Sequence, residues 1–194
     1  MFKKIPNMLT IGRIILVPFF VLAFYLPGFY GDLTAFALFV VASFTDFLDG
    51  MLARMMGEES KLGELLDPIA DKIIVATALI LLVMDGTIKH YEVIAAIIIL
   101  TREILISGLR EFLAIGQIKL PVSNLAKLKT FLQMISISLL LTGATGNKIL
   151  NFQDYNAQTI GIILLWLSAF LTLFTGYEYL RKGIDHAMSE DNKN

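Results

Sequence analysis

Four aspartates lie at helical spacing on either side of a short polar turn, and their pattern suits metal-dependent phosphoryl transfer. Asp46 and Asp49 are three positions apart and Asp67 and Asp71 four apart, so each pair shares one face of a helix. Four carboxylates this close repel one another unless a cation neutralises them. Ligand sets of oxygen alone favour Mg²⁺ or Mn²⁺, and two such ions suit displacement at phosphorus. The sequence therefore predicts a carboxylate cluster that holds divalent metal, as a pair of ions.

Small residues and an arginine accompany these aspartates. Gly50 and Ala53 lie on the same helical face as the first pair, and Gly63 precedes the second pair. Because small residues leave the backbone bare, a nucleobase can approach there. Helix–helix contact through small residues is the alternative interpretation. Arg54 is expected to pair with a phosphate, and pairing with a neighbouring carboxylate is its alternative.

The elements that position these residues belong to a membrane protein. The 194 residues are 56% hydrophobic and 17% charged, with a mean hydropathy of +0.72, whereas a soluble domain carries about 25% charged residues. The net charge of -1 gives no reason to expect a nucleic-acid partner, and the absence of cysteine excludes disulfides and thiolate metal sites. Segments 14–31, 130–146 and 155–177 contain no charged residue, as a membrane span requires.

Three further apolar runs become long enough to span only when adjoining charged turns are included. The pattern predicts six helices near residues 9–27, 33–55, 63–85, 91–115, 125–145 and 156–181. In a chain that alternates direction, the charged turns all fall on one side, which indicates a polar cavity entered from that side. We therefore predict an all-α integral membrane protein with six transmembrane helices and a short N-terminal juxtamembrane segment, residues 1–7. The alternative for that segment is a basic flank that orients the first helix.

Cations are concentrated on the cavity side of the predicted bundle. Those on that side are Lys3, Lys4, Arg13, Arg54, Lys61, Lys119, Lys127, Lys129, Arg181 and Lys182. Only Lys89 and Lys148 lie in the opposite loops. The positive-inside rule therefore predicts that the cavity and both termini are cytoplasmic.

The aspartate segment also resembles a known family. It resembles the signature of the CDP-alcohol phosphatidyltransferases at every fixed position, namely Asp46, Asp49, Gly50, Ala53, Arg54, Gly63, Asp67 and Asp71. The resemblance implies one membrane domain of that family over residues 1–194, usually as a homodimer. It implies that the four aspartates hold Mg²⁺ or Mn²⁺, that Asp71 is also the general base, and that CMP leaves from a CDP-linked lipid.

Other segments of the sequence narrow the choice of acceptor alcohol. Residues 6–13, 101–111 and 127–133 resemble one branch of that family, the bacterial phosphatidylglycerophosphate synthases. The resemblance implies CDP-diacylglycerol as donor and sn-glycerol 3-phosphate as acceptor, in phospholipid biosynthesis at the bacterial inner membrane.

Cations gather at the cytoplasmic ends of predicted helices 4 and 5 and suit an anionic acceptor. They are Arg102, Arg110, Lys127 and Lys129. Anchoring at the membrane interface is the alternative for these cations. Inositol phosphate is a second anionic acceptor that charge alone does not exclude. Glu103 and Glu111 are expected to neutralise nearby arginines.

The remaining predictions concern the start of the first helix, two tyrosines near the end of the last helix, and an alternative function. Asn7, Thr10 and Arg13 are expected to line the nucleotide side of the cavity, or else Asn7 and Thr10 satisfy free N–H groups at a helix start. Tyr177 and Tyr179 are expected to be interface anchors. A divalent-cation transporter, which also needs buried acids, is the alternative function from another class.

Overall fold

Six α-helices make up the part of the chain that the computed structural model describes, residues 5–56, 61–115, 124–150 and 156–191. They are α1 (Ile5–Phe24), α2 (Gly28–Met56), α3 (Lys61–Met84), α4 (Glu92–Ile115), α5 (Asn124–Leu150) and α6 (Ala157–Asp191). These residues contain no β-strand. The predicted all-α fold and the predicted order of helices are therefore confirmed.

A tight turn separates α1 from α2 and divides the charge-free run 14–31. The N–H groups of Tyr25 and Leu26 donate to carbonyls of the last turn of α1, each over 3.1 Å. Pro27 has no N–H and disfavours helical backbone in the residue before it, and Gly28 takes a positive φ of 63°. The charge-free run 14–31 is therefore shared by α1 and α2, and the predicted first helix over 9–27 ends earlier, at Phe24. α1 also begins at Ile5 rather than residue 9, so residues 5–7 of the proposed juxtamembrane segment are helical, and residues 1–4 lie outside the described chain.

A second short connection joins α3 to α4 at the same end of the bundle. Asp85 Oδ1 accepts a hydrogen bond from the N–H of Thr87 at 2.8 Å, and Glu92 Oε2 accepts one from the N–H of Lys89 at 3.1 Å. Gly86 between them has a φ of 79°, which a residue with a side chain adopts only with strain. This end of the bundle is thus closed by short, hydrogen-bonded turns.

The fifth helix is broken at Gly143, where φ is 52° and ψ is -140°. Thr145 Oγ1 donates a hydrogen bond to Asp32 Oδ2 of α2 at 2.8 Å. A Cβ at Gly143 would lie 3.3 Å from the same carboxylate oxygen. Glycine therefore provides both the backbone angle and the space for this contact. The predicted end of this helix at 145 coincides with the break, but the helix continues to Leu150.

The core is apolar and draws on all six helices. Fully buried members from successive helices are Phe20, Phe39, Leu82, Ile99, Ile137 and Leu165. α1 packs against both α2 and α3, α6 packs against α4 and α5, and α3 also contacts α2, α4 and α5. The helix that carries Asp67 and Asp71 therefore touches four of its five companions.

The outer surface is apolar as well. Large side chains on each helix are between 56% and 71% exposed, among them Phe19, Phe44, Ile80, Ile104, Phe131 and Phe170. Soluble proteins rarely expose apolar area on every side, whereas lipid favours it. Within the described residues, Gly28–Thr45, Asn124–Gly143 and Ala157–Arg181 are long and apolar enough to cross a membrane, and Thr10–Phe24 is a shorter apolar helix. The fold is that of an integral membrane protein.

Candidate active site

The two helices that carry the aspartates contact each other. Both are continuous through the signature residues, so Asp46 shares a face with Asp49, and Asp67 shares one with Asp71. Apart from Asp71, the side chains of the signature lie outside the described part of the structure; these are Asp46, Asp49, Gly50, Ala53, Arg54, Gly63 and Asp67. The meeting of the four carboxylates therefore stays a prediction, and the helix pairing that it requires is present.

Asp71 lines a cavity of about 70 Å³ between α3, α4 and α5. Its side chain is half-buried. The other polar residues on the cavity wall are Lys72, Glu103, Thr130 and Gln133. Lys72 Nζ donates to the carbonyl of Pro68 at 2.9 Å, which holds its ammonium group along its own helix. The predicted base thus faces a small cavity, with polar groups on a largely apolar wall, whose other sides are α4 and α5.

A buried cation stands beside this cavity. Lys129 on α5 is 3% exposed, and its Nζ donates a hydrogen bond to Glu103 Oε1 across the helix pair. Asp71 adds a further attraction to the same ammonium group, while Arg102 repels it. A lysine this deeply buried needs anionic partners, because a charge taken out of water without them is costly. Glu103 and Asp71 therefore offset part of the cost that burial imposes on the charged form of Lys129.

Arg102 completes the ion-pair group around Glu103 and is held in place by α6. Its Nη1 lies 3.5 Å from Glu103 Oε1, and its Nη2 donates to Thr175 Oγ1 at 3.1 Å. The guanidinium carbon is 6.0 Å from the ring centre of Tyr179, a favourable cation–π distance. A Cβ at Gly176 would come within 3.1 Å of Arg102 Cγ, so this glycine makes room for the arginine. Three neighbouring positions of α6 therefore fix the guanidinium group.

Residues 3–174 match the family model described as CDP-alcohol phosphatidyltransferase. The chain belongs to the CDP-alcohol phosphatidyltransferase family. It is 43% identical over 179 residues to the CDP-diacylglycerol–glycerol-3-phosphate 3-phosphatidyltransferase of Rickettsia felis, covering 92% of this chain and 94% of the relative. The proteins of the same description from Yersinia enterocolitica and Cereibacter sphaeroides are 40% identical over 183 residues and 34% identical over 217. These two alignments cover 91% and 96% of this chain, and 93% and 98% of the relatives.

Family membership confirms the resemblance drawn from the aspartate segment, and it makes the chain a membrane-embedded transferase of phospholipid synthesis. The relatives are bacterial and match nearly the whole chain. The alternative of a cation transporter finds no support in these comparisons.

The four cations predicted to bind the acceptor of this transferase separate into two groups. Lys129 and Arg102 meet at Glu103, whereas Arg110 and Lys127 are exposed. The expectation that Glu103 neutralises a nearby arginine is confirmed for Arg102, and its second partner, Lys129, was not anticipated. Exposure of Arg110 and Lys127 agrees with the alternative role of interface anchor.

On α6, only one of two tyrosines is where the sequence suggested. Tyr177 is 68% exposed, as an interface anchor must be, but Tyr179 is 6% exposed and packs beneath Arg102. The prediction that Tyr179 is an interface anchor is therefore wrong. Adjacent helical positions point about 100° apart per residue, so two tyrosines two residues apart face nearly opposite directions.

The residues predicted for the nucleotide side lie on α1. Thr10 and Arg13 are fully buried, at 0% and 1% exposure, on a helix that packs against both aspartate helices. Because α1 begins at Ile5, Thr10 lies beyond the first turn, and the helix-start interpretation is wrong for it. Asn7 is in the first turn, and its side chain lies outside the described part of the structure.

The predicted metal ligands suit a hard divalent cation. All four offer carboxylate oxygen alone, which Mg²⁺ and Mn²⁺ prefer. Among the side chains that the structure describes, no three acidic or histidine groups converge, because Asp71 alone of the four is included. A metal ligand must be reachable from the cavity, and the half-buried Asp71 side chain meets this requirement.

Gln133 was not singled out from the sequence. It is 3% exposed on α5 and lines the cavity with Asp71. Its position one helical turn after Lys129 is the signal that would have found it, since residues four apart share a face.

Proposed function

We propose that this protein transfers the phosphatidyl group of CDP-diacylglycerol to sn-glycerol 3-phosphate, giving phosphatidylglycerophosphate and CMP. The proposal is supported by the named activity of the three relatives, which align with at least 91% of the chain. The observation that carries it is the pair of cations at Glu103, adjoining the cavity that Asp71 lines. An anionic acceptor calls for such a pair, whereas acceptors without net negative charge, such as serine or choline, do not.

The acceptor phosphate is proposed to bind Lys129 and Arg102. Arginine offers two parallel donors to a phosphate, and lysine a compact charge. The exposed Arg110 and Lys127 are proposed to attract the acceptor at the mouth of the site, where charge acts over longer range. With the phosphate at this end, the hydroxyl end of a three-carbon acceptor extends into the cavity towards Asp71.

Asp71 is proposed to accept the proton of the attacking hydroxyl. The hydroxyl oxygen forms a new bond to the phosphorus that carries diacylglycerol, the bond from that phosphorus to the CMP oxygen breaks, and CMP leaves with the electron pair. A carboxylate within reach of the reacting hydroxyl suits this proton transfer. Asp71 and the Lys129 ammonium group attract each other.

The donor is proposed to bind on α1, α2 and the start of α3. Asp46, Asp49, Asp67 and Asp71 are proposed to hold two Mg²⁺ or Mn²⁺ ions, which when bound neutralise the diphosphate and the departing CMP. Arg54 would pair with a donor phosphate. The residues proposed to admit the cytidine are Asn7, Thr10, Gly50, Ala53 and Gly63.

The activity is tested with purified protein, CDP-diacylglycerol, Mg²⁺ and radiolabelled glycerol 3-phosphate. We expect label in the lipid extract together with an equal amount of CMP, and at least about 100-fold slower labelling with the Asp71→Asn control. Inositol phosphate and serine are added as competing acceptors, and we expect glycerol 3-phosphate to be preferred. Absence of labelled lipid under varied metal and detergent would overturn the proposed reaction, and a preference for inositol phosphate would change the acceptor.

We also propose six membrane crossings, with the active site and both termini cytoplasmic, and a homodimer. The chain has no cysteine, so single cysteines report topology without a background. Lys89→Cys, in the α3–α4 turn, should react with an impermeant maleimide added to intact cells, whereas Glu111→Cys near the opposite end of α4 should react only after lysis. The reverse pattern would invert the orientation. Chemical cross-linking in native membranes tests the dimer.

A further inference from the structure

The cavity wall contains a buried amide oxygen whose hydrogen-bonding capacity is unused among the described residues. Gln133 is 3% exposed, and its Oε1 is buried with no hydrogen-bond partner in the described part of the structure. Buried polar atoms in native proteins nearly always have a partner, and those that do not commonly mark the place of a ligand or an ordered water. A free amide oxygen accepts a hydrogen bond, so it suits a ligand that brings a donor such as a hydroxyl group.

Its neighbours indicate which part of a ligand it meets. Gln133 lies one helical turn from Lys129, and it lines the same cavity as Asp71 and Glu103. The cavity of about 70 Å³ has room for about two water molecules, or for a small hydroxylated fragment. If the acceptor phosphate is at Lys129 and the attacking hydroxyl at Asp71, the middle of the acceptor lies between them, next to Gln133.

We propose that Gln133 binds the secondary hydroxyl of glycerol 3-phosphate, an inference that rests on the proposed function. The acceptor has two hydroxyl groups, a primary one that attacks phosphorus and a secondary one on the central carbon. Gln133 Oε1 accepts a hydrogen bond from the secondary hydroxyl and so fixes the rotation of the carbon chain. The primary hydroxyl is thereby held at Asp71, because the phosphate end is already held by cations. Gln133 is thus a residue that determines acceptor specificity.

An acceptor without the secondary hydroxyl leaves this amide unpaired. The suitable probe is 3-hydroxypropyl phosphate, which keeps the phosphate and the primary hydroxyl and has hydrogen in place of the secondary hydroxyl. Sites built to hydrogen-bond a hydroxyl discriminate against the analogue that lacks it, and for one neutral bond we expect a kcat/KM about 10- to 100-fold lower.

The test compares kcat/KM for both acceptors in the full-length protein and in Gln133→Met. Methionine has nearly the length of glutamine and lacks its strong hydrogen-bonding groups. We expect the preference for glycerol 3-phosphate to fall below about threefold in the variant, with the analogue used about as well as by wild type. The matched control is Gln158→Met at the other end of the bundle, where Gln158 Nε2 donates to the carbonyl of Thr87 at 3.1 Å; it should keep the wild-type preference.

Two results would overturn the role of Gln133 while leaving the proposed reaction intact. One is that the wild-type enzyme uses both acceptors equally well. This measurement does not depend on whether a variant folds. The other is a preference that survives in Gln133→Met, which would mean that the amide bonds only to water. A wild-type protein that makes no lipid from glycerol 3-phosphate would instead overturn the proposed function itself.

Discussion

Removing the buried ammonium group of Lys129 should weaken acceptor binding specifically. The perturbation is Lys129→Met, which keeps the apolar stem and deletes the charge. Lys129 is 3% exposed, so its bond to a phosphate is little screened by water. A hydrogen bond to a charged group contributes about 1.5–3 kcal/mol. At about 1.4 kcal/mol per factor of ten, the KM for glycerol 3-phosphate should rise about 12- to 140-fold.

The assay follows labelled lipid while each substrate is varied in turn. The KM for CDP-diacylglycerol should change less than about twofold, because the proposed site for CDP-diacylglycerol does not include Lys129. Arg110→Met is the matched control for an exposed cation. Exposed pairs contribute about 0–1 kcal/mol, so its effect should stay below about fivefold. Added KCl should erase the Arg110 effect, since the Debye length is about 8 Å at physiological ionic strength, but not the Lys129 effect.

A structural role for Lys129 must be separated from binding. The single variant leaves Glu103, whose side chain is 24% exposed, with Arg102 at 3.5 Å, and some thermal stability should be lost. Glu103→Gln combined with Lys129→Met removes both charges and should recover that stability without recovering the KM. An equal rise in both KM values, or a double variant with normal acceptor use, would refute the assignment of Lys129 to the acceptor.

Three further changes have defined outcomes. Asp71→Asn should lower turnover about 10²- to 10⁴-fold, while CDP-diacylglycerol still protects the protein against thermal unfolding; full turnover would remove Asp71 from the base role. Gly176→Val should push Arg102 from its place and raise the KM for glycerol 3-phosphate more than that for the donor, and an unchanged KM would contradict this. Gly143→Ala should destabilise the fold by about 1–3 kcal/mol, seen as a lower unfolding midpoint, because its φ is positive. The matched controls are the same substitutions at Gly108, where an added Cβ meets no described atom within 4 Å. An equal rise in KM from Gly108→Val, or an equal loss of stability from Gly108→Ala, would refute the corresponding prediction.

Much of the architecture followed from the linear pattern of charge and apolarity. Residues 157–177 of the long charge-free run 155–177 lie in α6, and the run 130–146 lies in α5. The helical spacing of the aspartates predicted two continuous helices, and α2 and α3 are continuous there. Such features depend on neighbours three and four residues away, which a sequence displays directly.

The errors arose where a local signal competed with a longer apolar run. Pro27 and Gly28 end one helix and begin the next inside the uncharged run 14–31, which hydropathy alone treats as one span. The predicted helices 9–27 and 33–55 were separate, but the end of the first and the start of the second were placed three and five residues late. In α6 the helix continues to Asp191, well past the predicted end at 181, because hydropathy marks where an apolar span ends and not where the helix ends.

The sequence by itself determined the chemistry that the chain can perform: carboxylates at helical spacing, a family signature in residues 46–71, and cations concentrated at one end of the predicted bundle. Only the tertiary structure decided which of those cations work together. Lys129 and Arg102 are far apart in sequence and meet because α4, α5 and α6 pack together, while Arg110 remains at the surface. The physical reason is that burial and charge pairing depend on contacts between helices, and helical periodicity fixes only the face on which a residue lies, not the element that packs against it.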